Sequence, residues 1–139
     1  MKWYLILFCL LSFSLQVRAQ EGGDGQPFKI VSIFFRGGSY YVDEEQKDVV
    51  REFLSKQILM NYEIHIHSHT DNVGGVEFNE WLSRMRSEAT YQFLKEDGIP
   101  TNQLFIKDHG LFNPDYDNDS SLGRAKNRRV DIVLWPLPS

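Results

Sequence analysis

Residues Ile64 to Arg86 read IHIHSHTDNVGGVEFNEWLSRMR, and this stretch sets the architecture of the chain. Ile64, Ile66 and Ser68 alternate with histidines, the period of a strand with one buried face. The strand ends at Thr70-Asp71, the chain turns through Gly74-Gly75, and a helical pattern follows that carries Asn79, Ser83 and Arg86. A strand passing directly into a helix brings one carboxylate and one guanidinium to a common neighbourhood. Such a pair can grip a zwitterion, with its ammonium on Asp71 and its carboxylate on Arg86, because charge-assisted hydrogen bonds are strong and guanidinium meets carboxylate as a fork.

Downstream, the apolar residues Phe78, Leu82, Met85, Ala89 and Phe93 predict one long amphipathic helix from about Val76 to Glu96, stopped by Gly98 and Pro100. Asn79 and Arg86, seven residues apart, share another face of that helix. Upstream, Phe28 to Phe35 is a β-branched and aromatic strand broken by Gly37-Gly38-Ser39. Asp43-Glu44-Glu45 then opens a helix in which Val49, Val50, Phe53, Leu54 and Ile58 fall at helical spacing. Gln103 to Lys107 predicts a short third strand, Gly110 to Ser121 a polar loop, Leu122 to Asn127 a helical turn or two, and Arg128 to Trp135 a last strand. The order β-α-β-α-β-α-β predicts an α/β two-layer sandwich with helices on one side of a mixed four-stranded sheet.

Both ends lie outside that pattern. Lys2, the apolar run Leu5 to Leu15 and Val17-Arg18-Ala19 read as a secretory signal peptide over residues 1–19. Its apolar core falls short of the roughly 20 residues that span a bilayer. Residues 20–27, QEGGDGQP, read as a flexible linker, residues 28–135 as one domain, and residues 136–139 as a tail. The only cysteine, Cys9, belongs to the apolar run, so the exported chain offers no disulfide, zinc thiolate or cysteine nucleophile.

Of the 139 residues, 15 are Lys or Arg and 19 Asp or Glu; losing Lys2 and Arg18 with the signal leaves a net charge of −6. This acidity argues against nucleic acid as the natural partner, since phosphates require a basic footprint.

Taken together, several motifs resemble the OmpA-like C-terminal domain, a periplasmic family that binds peptidoglycan non-covalently. They are Ser68-His69-Thr70-Asp71, Gly74, Asn79, Leu82-Ser83, Arg86, Gly110 with Pro114, and Asn127-Arg128-Arg129-Val130, and the resemblance spans about Phe28 to Leu134. It implies that Asp71 and Arg86 hold the free amino-acid end of meso-diaminopimelate in a stem peptide. It also implies that Asn79 lies beside that ligand, with amides of the Val73-Gly74 turn as further donors. Thr70, Ser83 and Arg129 are implied as support, Arg129 being the nearer neighbour of the site within Asn127-Arg128-Arg129. The chain departs from the family pattern at Ser68, where glycine is usual, at the Gly37-Gly38 turn, which lacks an asparagine, and at Leu111, where an acid is customary.

The resemblance implies a binding protein rather than an enzyme, without a cofactor or bound metal, in the periplasm and peripherally associated with the outer membrane. It would anchor itself or an envelope protein complex to the wall, with no membrane span after signal cleavage. Other readings stand beside this one. Asp71 and Arg86 also fit a structural ion pair. His65, His67 and His69, followed by Asp71, have a spacing that can present imidazoles to zinc, but no second ligand cluster accompanies them. Asp115, Asp117 and Asp119 resemble the start of a calcium loop without its glycine and final glutamate, and read as a solvated loop. Trp81 either contacts a partner or covers its own helix. Exposed apolar residues around Trp81, Tyr40 and Tyr41 would favour an adaptor that uses the fold for protein contacts.

Overall fold

A computed structural model describes residues 28–110 and 115–138. The expected signal peptide and linker lie outside the described residues, as do Leu111 and Pro114. Four strands, β1 (Lys29–Phe34), β2 (Tyr62–His69), β3 (Leu104–Gly110) and β4 (Arg129–Pro136), form one sheet in the order β1-β4-β2-β3. β4 runs antiparallel to both neighbours and β2 is parallel to β3, so β1, β2 and β3 point the same way. Helices α1 (Glu44–Ser55), α2 (Val76–Glu96) and α3 (Ser121–Asn127) alternate with the strands, giving the mixed sheet expected from the sequence.

Register explains which face is covered. Ile64 faces Leu134, Ile66 faces Ile132, and Ser68 faces Val130. Val31 and Ile33 continue those rows on β1. All are buried, and with Val50, Phe53, Leu54, Phe93 and Leu94 they form the core beneath α1 and α2. The opposite face carries His65, His67, His69, Asp131 and Trp135, partly covered by the loop residues Asp115 and Tyr116.

Asp43 caps α1, its Oδ1 accepting the Gln46 N–H at 2.9 Å. Gln46 in turn donates from Nε2 to the Phe34 carbonyl at 2.7 Å, satisfying a backbone group of edge strand β1. The apolar stripe of α1 is narrower than its sequence spacing predicts. Val49 lies on the exposed side, and Ile58 lies beyond the helix, 66% exposed. β3 extends past Lys107 to Gly110 because parallel pairing with β2 carries polar residues along an edge strand. β4 takes in Pro136, which the sequence assigned to the tail.

The larger correction concerns α2. Its buried positions are Asn79, Leu82, Ser83, Arg86, Ser87, Thr90, Phe93 and Leu94, a regular helical stripe turned away from Phe78. The polar face inferred for Asn79 and Arg86 is the inward one. The reason is longitudinal: the last turns of α2 bring Phe93 and Leu94 into the apolar core, while nearer its start the buried Asn79 and Arg86 donate to backbone carbonyls of Val73, Ser39, His69 and Arg36. A purely hydrophobic periodicity registers only the first of these.

The loop before α3 is pinned. Asn127, fully buried, accepts from the Tyr116 N–H at 3.1 Å and donates from Nδ2 to the Tyr116 carbonyl and to Asn118 Oδ1, both at 2.8 Å. Gly123 packs so closely that a Cβ there would meet the Asp117 carbonyl oxygen at 1.6 Å. Gly123→Ala must therefore push the loop off the helix. The expected loss is roughly 1–3 kcal/mol, read as a lower urea midpoint at unchanged m-value.

Candidate functional site

The carboxyl ends of β1 and β2, the start of β4 and the N-terminus of α2 meet at one end of the sheet. Asp71 follows β2 directly. Its Oδ1 accepts the Val73 N–H at 3.0 Å and closes the turn, while its Oδ2 accepts from Arg128 Nη1 at 3.0 Å. Gly74 continues the turn at φ +94°, a conformation that costs glycine nothing. Asn79 Nδ2 donates to the Val73 carbonyl at 3.1 Å and holds the turn from below. Gly75 is the N-cap of α2 and brings no side-chain cap, so the first-turn amides have no side-chain oxygen of the cap to satisfy them.

Arg86 lies under this turn with no exposed surface. Its Nε donates to the Ser39 carbonyl at 2.8 Å, Nη2 to the Arg36 carbonyl at 3.2 Å and Nη1 to the His69 carbonyl at 3.5 Å, and its guanidinium lies 4.9 Å from the centre of the Phe35 ring. The Arg36–Ser39 turn, closed by the Ser39 N–H to the Arg36 carbonyl at 3.1 Å, aims two carbonyls at one cation. Burial pulls the Arg86 guanidinium down to about 10, against the charge of Asp71, which raises it, and with that of Arg128, which lowers it further. It stays cationic at neutral pH.

The structure thus gathers Asp71, Val73, Gly74, Asn79, Thr70, Ser83 and Arg86 as the sequence expected, but distributes their bonds differently. The Asp71 carboxylate is paired with the Arg128 guanidinium, not with Arg86. The Val73 amide is committed to Asp71 and is not an available donor. Arg129 is on the other face of the sheet, with Nε 3.0 Å from Asp131 Oδ1 and Nη2 bonded to Asp115. Consecutive strand residues point to opposite faces, so Arg128-Arg129 divides between two sites, and only the register tells which arginine goes where. Asp115 is correspondingly more than a solvated loop residue. Thr70 Oγ1, Ser83 Oγ, Asn79 Oδ1 and the Oγ of the atypical Ser68 are buried without a hydrogen-bond partner among the described residues. Such groups are uncommon in folded proteins and mark a polar layer able to accept further hydrogen bonds.

Outside the turn, an aromatic rim is exposed. Tyr40 meets Trp81 edge-on at 5.8 Å and Phe78 lies 5.8 Å from Trp81, with Tyr41 70% exposed nearby in sequence. Trp81 therefore both covers its helix and remains accessible. On the opposite face, burial alone would raise the Asp131 carboxyl. The hydrogen bond from His69, the charge of Arg129 and the Ser32 hydroxyl outweigh it and hold the group at about 2.

A two-layer α/β sandwich with one carboxylate and two guanidinium groups gathered at an uncapped helix N-terminus has the build of a ligand-binding domain. The chain belongs to the OmpA family, whose model matches residues 34–128. It is 34% identical over 71 residues to the outer-membrane lipoprotein YfiB of Pseudomonas aeruginosa, a match covering 51% of this chain and 42% of that protein. It is 35% identical over 71 residues to the peptidoglycan-binding protein ArfA of Mycobacterium tuberculosis, covering 51% of this chain and 22% of that one. The matched stretch is thus less than half the length of either relative. The peptidoglycan-associated lipoprotein of Burkholderia pseudomallei superposes with a TM-score of 0.67 at 26% identity, over 74% of this chain and 88% of that one. Among the described residues no helix is long and apolar enough to cross a membrane.

Proposed function

We propose that this chain binds peptidoglycan non-covalently through the diaminopimelate residue of the stem peptide, in the periplasm, and so anchors itself or an envelope complex to the wall. The observation that carries the reading is the grouping of Asp71, Arg86 and Arg128 beneath the uncapped start of α2, in a member of the OmpA family. The side-chain end of diaminopimelate is a free amino acid with one ammonium and one carboxylate. Asp71 takes the ammonium. The carboxylate meets the Gly74-Gly75 and first-turn amides and the partly exposed Arg128, with Arg86 supplying positive charge from below. For Arg86 to touch the ligand directly, the Ser39 carbonyl must first give up its Nε. Asn79 positions the turn, and no covalent bond is made or broken.

Lysine-type stems lack the second carboxylate, so the turn amides and the Arg128 guanidinium would lose the anion they face and binding would weaken. Free meso-diaminopimelate is therefore expected to release the protein from sacculi at concentrations where lysine releases none. Equal release by both amino acids would refute the assignment. One site of this size binds modestly, and the repeated stems of the polymer supply the avidity.

The exposed Tyr40, Tyr41, Phe78 and Trp81 favour a second reading, an adaptor that uses the fold for protein contacts. Pelleting with purified sacculi separates the two: an adaptor without wall affinity stays in the supernatant.

A further inference from the structure

The sheet face opposite the helices holds a second concentration of chemistry. His69 closes β2, Asp131 comes from β4, and Asp115 arrives from the loop before α3. One ligand atom from each lies within 4.8 Å of the others. His69 Nε2 is 3.3 Å from Asp131 Oδ2. Tetrahedral coordination with metal–ligand bonds of about 2.0–2.1 Å puts neighbouring donor atoms roughly 3.3 Å apart, so an ion can replace the proton of the His69–Asp131 hydrogen bond with little movement of either group. We propose that His69, Asp131 and Asp115 form a binding site for a divalent transition-metal ion of the zinc type.

Surrounding bonds orient the donors. Asp131 Oδ1 accepts the Ser32 hydroxyl at 2.6 Å, and Arg129 Nε lies across both oxygens at 3.0 and 3.1 Å, which fixes the carboxylate with Oδ2 shared between Arg129 and the imidazole. Such outer bonds are what aim metal ligands. Arg129 also holds Asp115 through Oδ2, leaving that carboxylate its second oxygen. Asp115 is about half exposed and has room to complete the set. Two carboxylates against one guanidinium leave one net negative charge beside the imidazole, and a divalent cation compensates it. One nitrogen with two carboxylate oxygens suits zinc and its neighbours better than calcium or magnesium, which take oxygen ligands alone.

The three groups line a cavity of about 320 Å³, bounded also by Phe28, Tyr116 and Trp135, with space for water in the remaining coordination positions. The alternating histidines suggested a different set. The structure breaks that set up: His65 Nε2 lies 2.9 Å from Glu63 and its ring stacks on Trp135, while Asp71 belongs to the other site. His69 instead meets two acids, Asp131 and Asp115, that come from distant parts of the chain.

The test is zinc binding to the purified exported protein, by competition with a chromophoric chelator, together with its melting temperature with and without zinc. One zinc per chain at micromolar affinity or tighter, and a higher melting temperature with zinc, are expected. Asp115→Asn and His69→Gln should each weaken binding roughly 10- to 100-fold or more and remove the thermal shift. His65→Gln should bind as wild type, and so should Asp71→Asn, whose defect is confined to the wall site. Failure of the wild type to bind zinc, unchanged affinity in Asp115→Asn and His69→Gln, or loss of binding in His65→Gln would each overturn the proposal. If His69→Gln folds poorly, Asp115→Asn, altered at an exposed loop position, decides.

Discussion

Asp71→Asn is expected to abolish co-sedimentation with diaminopimelate-type sacculi while leaving the domain folded. Asparagine keeps an oxygen for the Val73 amide, so the turn before α2 survives; what is lost is the negative charge facing Arg128 and the ligand ammonium. Losing one member of a desolvated, hydrogen-bonded charge pair costs about 2–5 kcal/mol in binding, which is roughly 30-fold or more in affinity at a single stem. Each stem contributes that loss, and multivalency magnifies it on the polymer. Asp71→Ala should bind no better and also melt lower, since it orphans the Val73 N–H as well. Pelleting of Asp71→Asn at the wild-type level would exclude this carboxylate from wall recognition, whatever the family resemblance.

The sequence made some of this visible and hid the rest, for physical reasons that can be named. The β2–turn–α2 unit was legible because alternation, paired glycines and helical spacing are local signals, and α2 spans Val76–Glu96 as expected. The inward direction of its polar residues was not legible. Apolar spacing assumes an apolar neighbour, whereas the buried Asn79 and Arg86 meet backbone carbonyls. The partner of Asp71 was hidden for another reason. Arg128 and Arg129 are adjacent, and choosing between them requires knowing that Arg129 pairs in register with His69 and Phe34 on the open face. The His69–Asp131–Asp115 cluster likewise depends on register and on a loop folded over the sheet. No fixed spacing in the sequence encodes either.

Arg86 is where position in the motif and position in space make different demands, and its substitution separates them. In a purely ligand-contacting role, Arg86→Met would lose wall binding and melt almost as wild type. The structure predicts otherwise. Three backbone carbonyls, of Arg36, Ser39 and His69, accept from this one side chain, and its plane covers Phe35. Methionine fills part of the volume but donates nothing, so the Arg36–Ser39 turn and the end of β2 lose their common anchor and their carbonyls lose a donor. Breaking a buried charged network from one side costs about 3–5 kcal/mol. For a domain of this size that is a fall in melting temperature of roughly 10–20 °C, measurable by circular dichroism without any ligand. Arg86→Lys restores a cation but only a point charge in place of a fork, so it should recover part of the wall binding and little of the stability. Loss of binding at an unchanged melting temperature would instead mean that Ser39 and Arg36 release the guanidinium readily, and that Arg86 reaches the ligand carboxylate itself.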